Sequence, residues 1–93
     1  MTVRFTPRAR DDLEEILEYI ANENRTAAER VRRATFDTTA LIAARPQLGI
    51  RNARSPGLRS RLVARYPYRI HYFVENADVW ICTHPTFGAA SPR

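Results

Sequence analysis

Side chains that could act on a phosphodiester are concentrated in one stretch, RSRLVARYPYRIHYF, at residues 59–73. Cleavage of RNA at a 2′-hydroxyl needs a general base, a general acid and positive charge around the developing phosphorane. Guanidinium groups suit the last role because they bind phosphate in bidentate geometry. The candidates for it are Arg59, Arg61, Arg65 and Arg69.

The acid and base of such a nuclease are harder to find. The two histidines are His71, which also suits a solvated strand position, and His84, which also suits a structural or partner-contacting role. Tyr66 and its aromatic neighbours could stack on bases or fill the core. The nuclease set is therefore incomplete, and a solvated basic sheet face stays open as the alternative.

Other chemistries find less support in the sequence. With three glycines there is no phosphate-binding glycine loop, and Cys82, the single cysteine, lies in an apolar strand where a buried, inert thiol is expected. The acidic residues between positions 11 and 18 would spread over a solvated helix face rather than bind a metal. We therefore expect no metal and no cofactor.

The positive charge is confined to one half of the chain. Residues 1–45 carry eight arginines and eight acidic residues, a net charge of zero, whereas residues 46–93 carry seven arginines against Glu75 and Asp78, a net charge of +5. This asymmetry favours an anionic partner, nucleic acid or acidic polypeptide, for the second half. All 15 basic residues are arginine, so a general arginine bias is an alternative for single positions.

The hydrophobic pattern predicts an α+β fold of order β-α-α-β-β-β in a single domain, residues 1–93. A strand at 3–5 precedes a helix capped by Thr6, and the second helix is expected to begin at the capping box Thr26–Glu29. After a loop at 46–57, strands at 58–65, 68–75 and 79–83 form an antiparallel meander, and the helical hairpin covers one face of this small, mainly antiparallel sheet.

Alternation along these strands assigns the side chains to two faces. The helix-covered face is expected to take Leu62, Ala64, Ile70, Tyr72, Val74 and Ile81. The opposite face is expected to carry Val63 together with Arg59, Arg61, Arg65, Arg69 and His71.

The apolar runs span only a few residues, and the first residues lack the apolar core of a secretory signal. We therefore expect a cytoplasmic protein without membrane contact.

Several segments resemble the RelE/ParE superfamily of bacterial toxins. Of its two branches, the ParE-like one is favoured. They are ARDDLEEILEYIANEN, AAERVRRA, ARPQLGIRN and YPYRIHYFVENADVWICTH, and the most specific pieces are the R-P-x-L-G turn and the Y-x-Y-R-I-x-Y strand. The resemblance runs from about Phe5 to His84. It implies the toxin of a type II toxin–antitoxin pair, silenced by a cognate, ParD-like antitoxin encoded alongside.

The resemblance leaves the target open among three readings. A ParE-like toxin poisons DNA gyrase and has no established hydrolytic site. A RelE-like toxin cuts mRNA on the ribosome without a metal; its basic positions would match Arg59, Arg61 and Arg69, but its later arginine and C-terminal tyrosine have no counterpart in HPTFGAASPR. The H-x-x-R pattern of ParE-like members is also broken, since Phe87 replaces the arginine after His84. A non-toxic, antitoxin-binding remnant is the third reading.

The resemblance also implies where partners bind. The antitoxin segment is expected to fold on the basic sheet and in the groove beside the helical hairpin. The residues expected to contact antitoxin or target are Arg59, Arg61, Arg65, Tyr66, Arg69, His71 and His84.

Overall fold

A computed structural model describes residues 2–82 and confirms the β-α-α-β-β-β order. One short strand, β2, was not predicted. Neither described helix is long and apolar enough to cross a membrane. The elements are β1 (Thr2–Phe5), α1 (Pro7–Glu23), α2 (Arg25–Ala44), a 3-10 turn (Pro46–Leu48), β2 (Ile50–Arg51), β3 (Arg59–Leu62), β4 (Arg69–Glu75) and β5 (Asp78–Cys82).

The described strands form one mixed sheet in the order β1-β5-β4-β3-β2. The meander from β2 to β5 is antiparallel, and β1 returns beside β5 in parallel. Because β1 runs parallel to β5 beside it, α1 begins next to the end of β5. Thr6 N, just before α1, donates to Ile81 O at 3.0 Å. The end of β5 and the start of α1 therefore meet at one edge of the fold.

The two helices are joined by a single residue, Asn24. Its backbone N–H closes α1 on Ile20 O at 2.7 Å, and its side-chain Oδ1 accepts from Ala27 N at 3.0 Å to cap α2. The prediction that Thr26 caps α2 was wrong, because Asn24 adopts the extended cap conformation two residues earlier. The Thr6 cap of α1 is confirmed, with Ala9 N donating to Oγ1 at 3.2 Å.

The core lies between the helical hairpin and one side of the sheet, which we call the helix face. Ala9 of α1 and Ile42 of α2 pack with the sheet residues Val63, Ile70, Tyr72, Val79 and Ile81. Three threonines of α2 are also buried, and each satisfies its hydroxyl by donating to a carbonyl three or four residues earlier in the helix. These threonines are Thr35, Thr38 and Thr39.

The predicted side-chain phase of β3 was wrong. Residues directly opposite each other in an antiparallel pair share a face, and Arg61 pairs with Ile70 while Leu62 pairs with Arg69. The odd-numbered residues of β3 therefore lie on the helix face. Val63 is 1% exposed there, whereas Leu62 is 50% exposed on the opposite face.

Two further residues expected beneath the helices are exposed. Ala64 lies just after β3 and is solvent-exposed. Val74 pairs with Val79 and so belongs to the helix face, but it is 43% exposed near the end of β4. The helices cover the centre of the sheet and leave this position open.

Candidate functional site

The R-P-x-L-G turn is fastened to the sheet by Tyr72. This side chain is 0% exposed, and its hydroxyl donates to Pro46 O at 2.6 Å and accepts from Gly49 N at 2.8 Å. A Cβ at Gly49 would lie 2.7 Å from Cε1 and 2.8 Å from Cζ of the ring, so only glycine allows this approach. The two most distinctive sequence motifs thus form one buried contact.

Arg59 belongs to the same arrangement. It pairs with Tyr72 across β3 and β4 and lies on the helix face. Its Nη1 donates to Gly49 O at 3.0 Å and, more weakly, to Gln47 O at 3.4 Å. The guanidinium of Arg59 therefore holds the turn in place.

The other candidates on β3 and in the turn after it, Arg61, Arg65 and Tyr66, lie in different environments. Arg61 is half-buried on the helix face opposite Ile70. Arg65 is exposed in the turn after β3, with a left-handed backbone (φ 73°). Tyr66 is half-buried and packs against the core, as expected for a structural aromatic residue.

The strand register assigns Arg69 and His71 to the opposite face of the sheet, and both lie at the border of the groove described below. Arg69 pairs with Leu62, and its Nη1 donates to Ser60 Oγ at 3.1 Å. His71 is half-buried and pairs with Cys82. Burial raises the pKa of the Cys82 thiol to about 11, which agrees with an inert thiol rather than a nucleophile.

The basic residues that the sequence assigns to one face of the sheet therefore form two separate sets. The sheet lies between Arg59 and Arg61 on one side and Arg69 and His71 on the other. His84 lies outside the described residues. Within residues 2–82 no three His, Cys, Asp or Glu side chains come close enough to bind a metal ion. The described arginines do not converge on one point as a phosphoryl-transfer centre requires.

A half-open apolar groove lies between α1 and the helix face. It has a volume of about 290 Å³, is bordered on the α1 side by Asp12 and Glu15, and includes Arg69 and His71 on the sheet side. A groove beside the hairpin is expected from the family resemblance, and the spacing of Leu13 and Ile16 on α1 is the sequence signal for its apolar residues. The apolar lining includes Phe5, Leu13, Ile16, Val31, Ile70 and Ile81.

The comparisons with known proteins agree with this fold. The protein-family model described as "ParE toxin of type II toxin-antitoxin system, parDE" matches residues 3–83. A chain of the solved chromosomal ParDE TA system from P. aeruginosa is similar in structure, with a TM-score of 0.72 and 21% sequence identity. The alignment covers 88% of this chain and 90% of that chain. No curated protein sequence matches significantly.

Proposed function

The chain belongs to the ParE toxin family of type II toxin–antitoxin systems, and from this membership we propose that it poisons DNA gyrase and is neutralised by a cognate antitoxin encoded beside it. The observation that carries the proposal is the extent of the family match, which runs from β1 past the end of β5. Since gyrase acts on chromosomal DNA, the toxin would act in the cytoplasm.

The separation of the basic residues supports gyrase over messenger RNA as the target. A metal-independent nuclease needs its acid, base and cationic groups around one phosphate. Arg59 is committed to the turn at Gly49, and Arg69 lies on the other side of the sheet. The described part of the chain therefore lacks a convergent set, while a gyrase poison needs only a binding surface.

We assign the antitoxin to the groove and assign the exposed Arg65 to the target. Arg65 is exposed and is not among the residues that line the groove, so it is available to an anionic surface of gyrase or its bound DNA. The groove offers apolar walls that a folding-upon-binding segment can fill. Tyr66, packed on the core, would act on either partner only by supporting its turn.

The proposal is tested by incubating the purified protein with gyrase, supercoiled plasmid and ATP, and measuring linear DNA after denaturing the protein. A dose-dependent linear product that the co-encoded antitoxin abolishes is expected. Absence of linear DNA, with a gyrase-targeting drug active in parallel, contradicts the proposal.

The two alternatives are separated in the same series. Ribosome-dependent cleavage of a transcript, lost in Arg69→Ala, would indicate a RelE-like nuclease. Binding of the antitoxin without either activity would indicate a non-toxic remnant. His84→Ala belongs in both assays, because its role is predicted from the sequence alone.

A further inference from the structure

The charge of α1, which forms one side of the groove, is opposite in sign to that of the whole chain. Helix α1 carries six acidic residues and two arginines, a net charge of −4, while the chain carries +5. A ligand at the groove responds mainly to the nearby charges, since exposed charges are largely screened beyond about 8 Å at physiological ionic strength. The α1 side of the groove is therefore acidic, whereas its sheet side includes Arg69 and His71.

The acidic border is part of a stripe along one side of α1. Asp12 and Glu15 border the groove, and Tyr19 follows Asp12 at i+7 and Glu15 at i+4, so all three lie on the same side of the helix. Tyr19 is 71% exposed, an unusual position for a large aromatic side chain. A segment running along the groove would cover this stripe.

Covering the stripe creates an electrostatic requirement. Within residues 2–82, Glu15 has no ion-pair partner. A segment that fills the apolar groove removes water from one side of this carboxylate, and a desolvated charge without a partner is costly. The occupant must therefore bring a cation to this border or leave Glu15 in water.

Building on the proposed function, we propose that the antitoxin segment in the groove is amphipathic and basic where it meets α1: it inserts apolar side chains between α1 and the sheet and places a Lys or Arg against Glu15, beside Tyr19. This differs from the uniformly acidic segment that a net charge of +5 suggests. Acidic residues of the same segment belong instead opposite Arg69, on the sheet side of the groove.

The chain supplies a matched pair of variants for the test. Glu15→Lys and Glu14→Lys change the net charge equally, and both positions are exposed on α1. Glu15 borders the groove, and Glu14 is not among the residues that line it. The dissociation constant of the purified co-encoded antitoxin is measured for both variants by calorimetry at low salt. Glu15→Lys is expected to weaken binding about tenfold, from one lost attraction and one new repulsion, while Glu14→Lys stays within about twofold.

The outcomes separate this inference from the proposed function. Binding that is unchanged or tighter in Glu15→Lys overturns the basic segment while leaving the antitoxin pairing intact. If the co-encoded product does not bind the unaltered protein at all, the proposed function fails instead.

In that case the border is tested without an antitoxin, with the anionic dye 1-anilinonaphthalene-8-sulfonate and a cationic naphthylammonium dye of similar size. The ratio of cationic to anionic dye affinity should fall in Glu15→Lys relative to Glu14→Lys. An equal ratio in the two variants overturns the inference.

Discussion

Replacing Tyr72 with phenylalanine removes one hydroxyl from the contact that fastens the turn at residues 46–49. The ring stays in place, but Gly49 N loses the acceptor at 2.8 Å and Pro46 O loses the donor at 2.6 Å. Gly49 is buried, so water cannot replace the lost acceptor, whereas Pro46 is only half-buried and its carbonyl regains some hydration.

The expected loss follows from those two groups. A buried polar group left unsatisfied costs about 1–3 kcal/mol, and the partly hydrated carbonyl adds little, so Tyr72→Phe should lower the free energy of unfolding by about 2 kcal/mol. Gly49→Ala should cost at least as much, since its Cβ would lie 2.7 Å from Cε1 of a ring that is 0% exposed and cannot move aside.

Urea denaturation followed by circular dichroism measures both losses, and the chain supplies a control for each. Tyr19→Phe, at a side chain that is 71% exposed, should change stability by less than about 0.5 kcal/mol. Gly57→Ala should also be near neutral, because a Cβ there meets no atom within 4 Å. A loss below about 0.5 kcal/mol in Tyr72→Phe would refute the claim that this hydroxyl fastens the turn.

Three further predictions concern the packing and the caps. Val63→Ala should cost about 2 kcal/mol and Leu62→Ala well under 1 kcal/mol in urea denaturation, reversing the order that the sequence alone suggests. Asn24→Ala should cost about 1 kcal/mol and Thr26→Ala less, because the side chain of Asn24 makes the cap; equal losses would contradict this. Since burial raises the pKa of Cys82 from 9.0 to about 11, its thiolate fraction at pH 8 is about a hundredfold lower. Native protein should therefore react with iodoacetamide about that much more slowly than urea-unfolded protein, and equal rates would count against this burial.

The order of the helices and of the longer strands could be predicted because each of them carries a local signal. Pro7 after Thr6 marks the start of α1, and alternating apolar residues mark β4. The two-residue strand β2 carries no such signal, because it forms only by pairing across a loop, Ile50 with Ser60 and Arg51 with Arg59.

The phase of β3 could not be predicted for a related reason. Both Leu62 and Val63 are apolar, and the register with β4 decides which of them is buried. A slip of one residue moves every side chain to the other face, so the arginines were assigned to one common face when they occupy two.

The groove depends on tertiary packing in the same way. Sequence spacing indicates that Leu13 and Ile16 face inward, but the open space between them and the sheet follows from how the hairpin packs on it. The role of Arg59 is also invisible in the sequence, because its acceptors, Gly49 O and Gln47 O, lie ten and twelve residues away in a loop.

One experiment tests both gyrase as the target and the groove as the antitoxin site. It compares gyrase trapping by the unaltered protein and by Ile16→Trp, each with and without the co-encoded antitoxin. Filling the groove at Ile16 should leave the linear DNA product intact while preventing its suppression by the antitoxin, with an unchanged circular dichroism spectrum as the control for folding. Suppression of the Ile16→Trp variant at the same antitoxin concentration would contradict the assignment of the groove. Absence of linear DNA with the unaltered protein would contradict gyrase as the target.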